Sequence, residues 1–236
     1  MTNTRELAIL NNNFNHENKP IFEKLGYKYL GFIEHKLSDT QVMILKKDNK
    51  IVICFQGSVI NFKQYTKIAF INWIISFFKS PDWINNLDIE LINTDIGRYS
   101  RGIYNPIVFV RREIMAYIAV GDTDEDIIIT GHSRGGALAT MFYLVLCNMF
   151  KDWNLSARRI HLETFNNQRI MDRITSKRMR EFWNNTKRNY ISNDIVSQLP
   201  PVFTFWAGIY NHFGNREKHI SKYKDIEKNH GMISFI

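Results

Sequence analysis

Residues 131–135 read Gly-His-Ser-Arg-Gly, a serine with glycine two places to either side. This spacing has chemical meaning where a strand turns sharply into a helix. The turn strains the serine backbone, the small residues prevent collisions with neighbouring chain, and the hydroxyl points outward. A serine hydroxyl is a weak nucleophile, so acyl transfer through Ser133 also requires a base and a group that orients the base. In this architecture they follow the serine in the order acid, then histidine. Of the seven histidines, His16, His35 and His132 precede Ser133, and His161 comes before any suitable acid, which leaves His212, His219 and His230. The best-placed acid is Asp194, in the stretch ISNDIVSQLPP (191–201), just after a strand-like run and ahead of a Pro-Pro stop. Catalytic loops leave a sheet at such positions. Asp172 and Asp225 are weaker candidates; Asp172 opens a helix-like segment, where capping accounts for a carboxylate.

The elements that must position these residues alternate along the chain. Segments 27–34, 41–47 and 51–56 read as strands, the last two joined as a hairpin by KKDNK, and 87–93 reads as another. Residues 105–120 repeat apolar side chains at helical spacing after an early proline. DIIIT (126–130) is a short, continuously apolar strand of the kind buried on both faces, and GGALATMFYLVLCNMF after it is a buried helix. Segments 159–165 and 188–193 read as strands around a polar helix over 171–185. Strands separated by helices predict an α/β fold with a mostly parallel central sheet and helices on both faces. No linker or repeat interrupts it, and 236 residues suit one domain over 1–236.

Several blocks together resemble the class 3 lipases, the fungal triacylglycerol lipase-like branch of the α/β-hydrolases. They are ITGHSRGGALAT (129–140), VICFQGS (52–58), TFNNQRI (164–170), NDIVSQLPP (193–201) and NHGMISFI (229–236). The resemblance covers about residues 50–236 and implies the α/β-hydrolase fold, with Ser133 as nucleophile, Asp194 as acid and His230 as base. His212 resembles a second family histidine that is not the base, and it remains the alternative to His230. Ser58 maps to the oxyanion hole, to which the backbone N–H of Arg134 also contributes. The implied substrate is an acylglycerol, a phospholipid or a small ester, with no cofactor and no metal.

The chain departs from the family pattern in three places. Arg134 stands where the family has leucine, so its guanidinium either attracts an acidic head group or pairs with a nearby carboxylate for structure. Ser76 replaces an acid in Trp73-Ile74-Ile75-Ser76. VINFKQYTK looks like an insertion ahead of that tryptophan. The apolar run IAFINWIISFF (68–78) is read either as a lid that meets lipid or as a core helix. Residues 1–26 have no counterpart in the resemblance.

Composition sets the outer bounds. Two cysteines, Cys54 and Cys147, both inside apolar runs, exclude a disulfide framework and read as buried thiols. The N-terminus has no secretory pattern, and 68–78 falls short of a bilayer span, so the expectation is a soluble or peripheral protein, intracellular or virus-associated. No His/Cys/Asp cluster has metal-ligand spacing. The net charge of +8 attracts anions without choosing among them. The competing reading is an inactive lipase-like protein that holds anionic membrane or nucleic acid through Arg173, Lys177, Arg178, Arg180, Lys187 and Arg188; a solvated helix face explains those charges more simply.

Overall fold

Along an extended chain, successive side chains point to opposite faces, so Ile127 and Ile129 must serve one side of a sheet and Ile128 the other. The computed structural model describes residues 3–57, 88–120, 125–152, 159–194, 196–200, 202–204, 208–220, 230–232 and 235–236. Ser58, Trp73, Ser76, the run 68–78 and Asp225 lie outside the described residues.

The strands are β1 (Lys28–His35), β2 (Thr40–Lys47), β3 (Lys50–Phe55), β4 (Leu91–Thr94), β5 (Gly97–Ser100), β6 (Asp126–His132), β7 (Ile160–Phe165), β8 (Met171–Asp172), β9 (Thr186–Ile191), β10 (Phe203–Thr204), β11 (Gly208–Asn211) and β12 (Arg216–His219). The larger sheet has the order β1-β2-β3-β6-β7-β9-β12. From β3 to β12 every pairing is parallel, while β1 and β2 join antiparallel at one edge. The KKDNK hairpin forms as its sequence requires, with Val42 opposite Phe55 and Lys47 opposite Lys50.

Both faces of this sheet are covered. On one, Ile51, Ile53, Ile127 and Ile129 pack against α3 (Arg101–Val120) and α4 (Arg134–Asp152). On the other, Val52, Cys54 and Ile128 meet Leu7, Ala8 and Leu10 of α1 (Thr4–Asn12) and Phe22 of α2 (Lys19–Lys24). Leu7 and Leu10 are fully enclosed, and each such burial contributes about 2 kcal/mol. The Asn3 side chain caps α1 by accepting from the Arg5 N–H at 3.0 Å. Asn11 ties the helix to the sheet: its amide donates to Thr130 Oγ1 at 2.9 Å, and its oxygen accepts from the Cys54 thiol at 3.4 Å. The amide-rich N-terminus is therefore a sheet-covering layer. Cys54 and Cys147 are free and buried.

Three elements differ from the sequence reading. Helix α3 begins at Arg101, so Pro106 sits inside it. Its first N–H groups find tertiary acceptors: Arg101 N–H donates to the Glu90 carbonyl at 2.9 Å and Gly102 N–H to the Asp88 carbonyl at 2.7 Å. Satisfied orphan donors let a helix start ahead of its sequence signal. The strand expected over 87–93 begins only at Leu91 and is half of a hairpin with β5, inside a second, antiparallel sheet of order β10-β11-β8-β5-β4. The helix expected over 171–185 divides into the two residues of β8, a short α5 (Arg173–Arg178) and a 3-10 segment (Met179–Asn185). Asp172 caps α5, its carboxylate accepting from Thr175 N–H at 2.7 Å. Among the described residues, no helix is long and apolar enough to cross a membrane.

Candidate active site

Ser133 stands alone between the end of β6 and the start of α4, with φ +55°. A non-glycine residue in this left-handed region costs on the order of 1–3 kcal/mol and persists only where its surroundings enforce it. Its N–H donates to the Phe165 carbonyl at 2.9 Å, and its carbonyl accepts from Ala137 N–H at 3.2 Å. The flanking glycines allow the close packing. A Cβ on Gly131 would lie 2.2 Å from the Gly135 carbonyl oxygen, and one on Gly135 would lie 2.3 Å from that of Phe55. Both obstacles are backbone, so neither can swing aside. Gly135→Ala must therefore displace the end of β3 or the helix start; we expect a loss of about 3 kcal/mol, seen as a melting temperature lower by roughly 6–12 °C. Calorimetry checks this, and a melting point within about 2 °C of wild type would show that the elbow tolerates a side chain.

His230 faces the serine. Its Nε2 lies 2.8 Å from Ser133 Oγ and its Nδ1 lies 2.9 Å from Asp194 Oδ2. The Asp194 carboxylate accepts, so Nδ1 carries the ring proton and Nε2 is left as the acceptor for the serine hydroxyl. All three groups are buried, Asp194 completely. Asp194 sits just beyond β9, where its N–H donates to the Ile191 carbonyl at 3.1 Å and its carbonyl accepts from Ser197 Oγ at 2.9 Å. A hydroxyl, an imidazole and a carboxylate in this line can pass a proton from oxygen to ring while the carboxylate stabilises the resulting cation.

Two residues that the sequence reading gave no role hold His230 in place. The His230 carbonyl accepts from His132 Nε2 at 2.6 Å and from Asn166 Nδ2 at 3.1 Å. Burial and the neighbouring His230 push the His132 ring down to about 3, so it stays neutral and keeps the proton it donates. Asn166 follows β7 with φ +46°, and its side-chain oxygen accepts from Ile191 N–H at 2.9 Å, linking the His230 backbone to the strand that delivers Asp194. The only sequence cue was an Asn-Asn pair at a strand end, a common turn signal.

The other candidates go elsewhere. His219 Nε2 is 2.9 Å from Asn189 Oδ1. His212 follows β11, and its ring is pushed well below the usual histidine range by burial and by Arg188, Arg169 and Arg216. The Arg134 guanidinium is held by backbone: Nη1 donates to the Asp39 carbonyl at 2.7 Å and Nη2 to the Ser38 carbonyl at 2.9 Å. The partners are backbone carbonyls and not the carboxylate expected of a structural pair, and they pin the turn after β1 to the first turn of α4. The basic residues of 171–188 share no single helix face. Arg178 donates to the Ile96 carbonyl at 2.7 Å, Lys187 pairs with Glu217 at 3.5 Å, and Arg188 is buried. Among the described residues, no group of three His, Cys, Asp or Glu side chains could hold a metal ion.

The fold is shared with solved lipases. The Rhizomucor miehei triacylglyceride lipase aligns with a TM-score of 0.69 at 20% identity, over 91% of this chain and 78% of its own. A triacylglycerol lipase whose catalytic centre is described as a serine protease triad aligns at 0.67 and 18%, over 91% and 78%. A fungal lipase–inhibitor complex described as a basis for interfacial activation aligns at 0.69 and 19%, over 90% and 77%. No curated protein sequence matches the chain. Residues 52–204, from β3 to β10, match the family described as lipase (class 3). The strand-to-helix serine, the α/β-hydrolase sheet that carries it and this match place the chain in the class 3 lipase family, and it is a carboxylic ester hydrolase.

Proposed function

We propose that the chain hydrolyses acylglycerol or phospholipid esters through an acyl-serine intermediate, with residues 1–236 acting as one catalytic unit. The observation that carries this reading is the unbroken line of hydrogen bonds from Ser133 through His230 to Asp194. His230 Nε2 removes the hydroxyl proton as Ser133 Oγ attacks the ester carbonyl, and returns it to the leaving alcohol. Water, activated by the same nitrogen, then releases the fatty acid. Asp194 holds the ring in the acceptor tautomer and stabilises the imidazolium. The backbone N–H groups of Arg134 and Ser58 serve the developing oxyanion, and each such donor contributes about a hundredfold to a thousandfold in rate. A lipid substrate is supported by the family and by the interfacial activation described for the fungal lipase–inhibitor complex.

A fluorophosphonate probe and an ester panel test the reading. The probe should add one adduct, located by peptide mass spectrometry on Ser133, and abolish hydrolysis. Emulsified long-chain glycerides or phospholipids should be cleaved faster above the concentration at which they form an interface than below it. Labelling at another residue would remove Ser133 from the mechanism. Equal rates on monomeric and aggregated substrate would identify a soluble-ester esterase.

A further inference from the structure

The parallel pairing of β12 with β9 places Arg216 directly across from Arg188. Side chains of register partners lie on the same face, and like charges so placed repel. Arg188 is 4% exposed, and its Nε and Nη1 atoms are buried without a hydrogen-bond partner. Its guanidinium lies over the Tyr190 ring, 4.8 Å from the centroid, a contact that supplies no acceptor for those N–H groups. Arg169, also buried, uses its guanidinium on neutral acceptors only: the carbonyls of Gln198 and Pro200 and the Gln198 side-chain oxygen. Both ring nitrogens of His212 are buried, with the Ser197 backbone beside the ring.

A buried lysine can escape such a position by losing its proton. An arginine cannot. Burial, Arg216 and Arg169 push Arg188 down only to about 10, so it remains charged at neutral pH. Removing one partner from a buried charge is among the more destabilising changes known, and the Nε and Nη1 of Arg188 stand in that state. Among the described residues, no carboxylate acts on Arg188, Arg169 or His212; each feels the other cations instead.

We propose that Arg188, Arg216, Arg169 and His212 form an anion site that takes a phosphate-class dianion, distinct from the Ser133 centre. Three guanidinium groups match the charge and the multiple acceptor oxygens of a phosphoryl group better than those of a monocarboxylate. The exposed Arg216 marks the side from which the anion reaches the buried Arg188. Arg169 grips Gln198 and Pro200 in the stretch that also carries Asp194, so the bound anion would brace the segment behind the triad without entering it.

Thermal melts and calorimetric titration of the whole chain with inorganic phosphate test the site, with sodium chloride and acetate at matched ionic strength as controls. Phosphate should bind one to one, with a saturable heat, and raise the melting temperature by about 5–10 °C at a hundredfold excess over its dissociation constant, while chloride and acetate do not. Arg216→Gln, an exposed change, should weaken phosphate at least tenfold, and Arg188→Met should abolish the response while melting no lower than phosphate-free wild type. Glycerol 3-phosphate binding tenfold more tightly than phosphate would identify a lipid headgroup as the source, and equal or weaker binding the free anion. A response shared by chloride or acetate, undiminished in Arg216→Gln, or missing from wild type would overturn the site; the last result would mean that a carboxylate of the chain itself meets these charges.

Discussion

Replacing Ser133 by alanine will lower kcat for ester hydrolysis by about 10⁴- to 10⁶-fold with little change in KM. In the proposed mechanism the hydroxyl bonds to the acyl carbon, while the ring 2.8 Å away moves its proton. His230→Ala should cost a similar factor. Because the two groups act in one step, the Ser133→Ala/His230→Ala double variant should be no slower than either single variant, whereas independent contributions would multiply. Initial rates on a soluble short-chain ester, with circular dichroism to confirm folding, decide the matter. A loss under a hundredfold in the serine variant, or a multiplicative double variant, would place the nucleophile elsewhere.

Asp194→Asn will retain the fold and lower kcat by about 10⁴-fold. The carboxylate has no solvent exposure, so KM should be unaffected. Its work is done through His230 Nδ1, 2.9 Å away. An asparagine amide in the same place can present an N–H toward Nδ1, which favours the tautomer with its proton on Nε2; that nitrogen then faces the serine hydroxyl as a donor and cannot accept its proton. Steady-state kinetics with a melting curve check both halves of the expectation. A kcat within tenfold of wild type would mean that backbone contacts to His230 suffice to orient the ring.

Much of this site can be read from local sequence because local sequence causes it. Gly131, Ser133 and Gly135 make a turn that only small flanking residues permit, and the closeness of the Phe55 and Gly135 carbonyls explains why. Asp194 was legible as a loop acid after a strand. The hairpin at KKDNK and the buried strand Ile127–Ile129 follow from turn residues and alternation. The amphipathic stripe of α1 was equally present in the sequence, but Leu7, Ala8 and Leu10 are diluted among amides whose use appears only once Asn11 meets Thr130 and Cys54. The antiparallel hairpin of β4 and β5, and the division of 171–185, depend on partners distant in the chain. Short segments take their structure from such partners more than from propensity.

By itself the sequence carried the sharp turn at Ser133, a loop acid after a strand and the alternation that predicts a doubly covered sheet, since each is written in a few neighbouring residues. Only the tertiary structure decided which of three histidines meets a serine 97 positions away, and that His132 and Asn166 hold its backbone. It alone set Arg188 against Arg216, because pairing between strands is fixed by the packing of the whole sheet and no periodicity along one strand records what lies on the next.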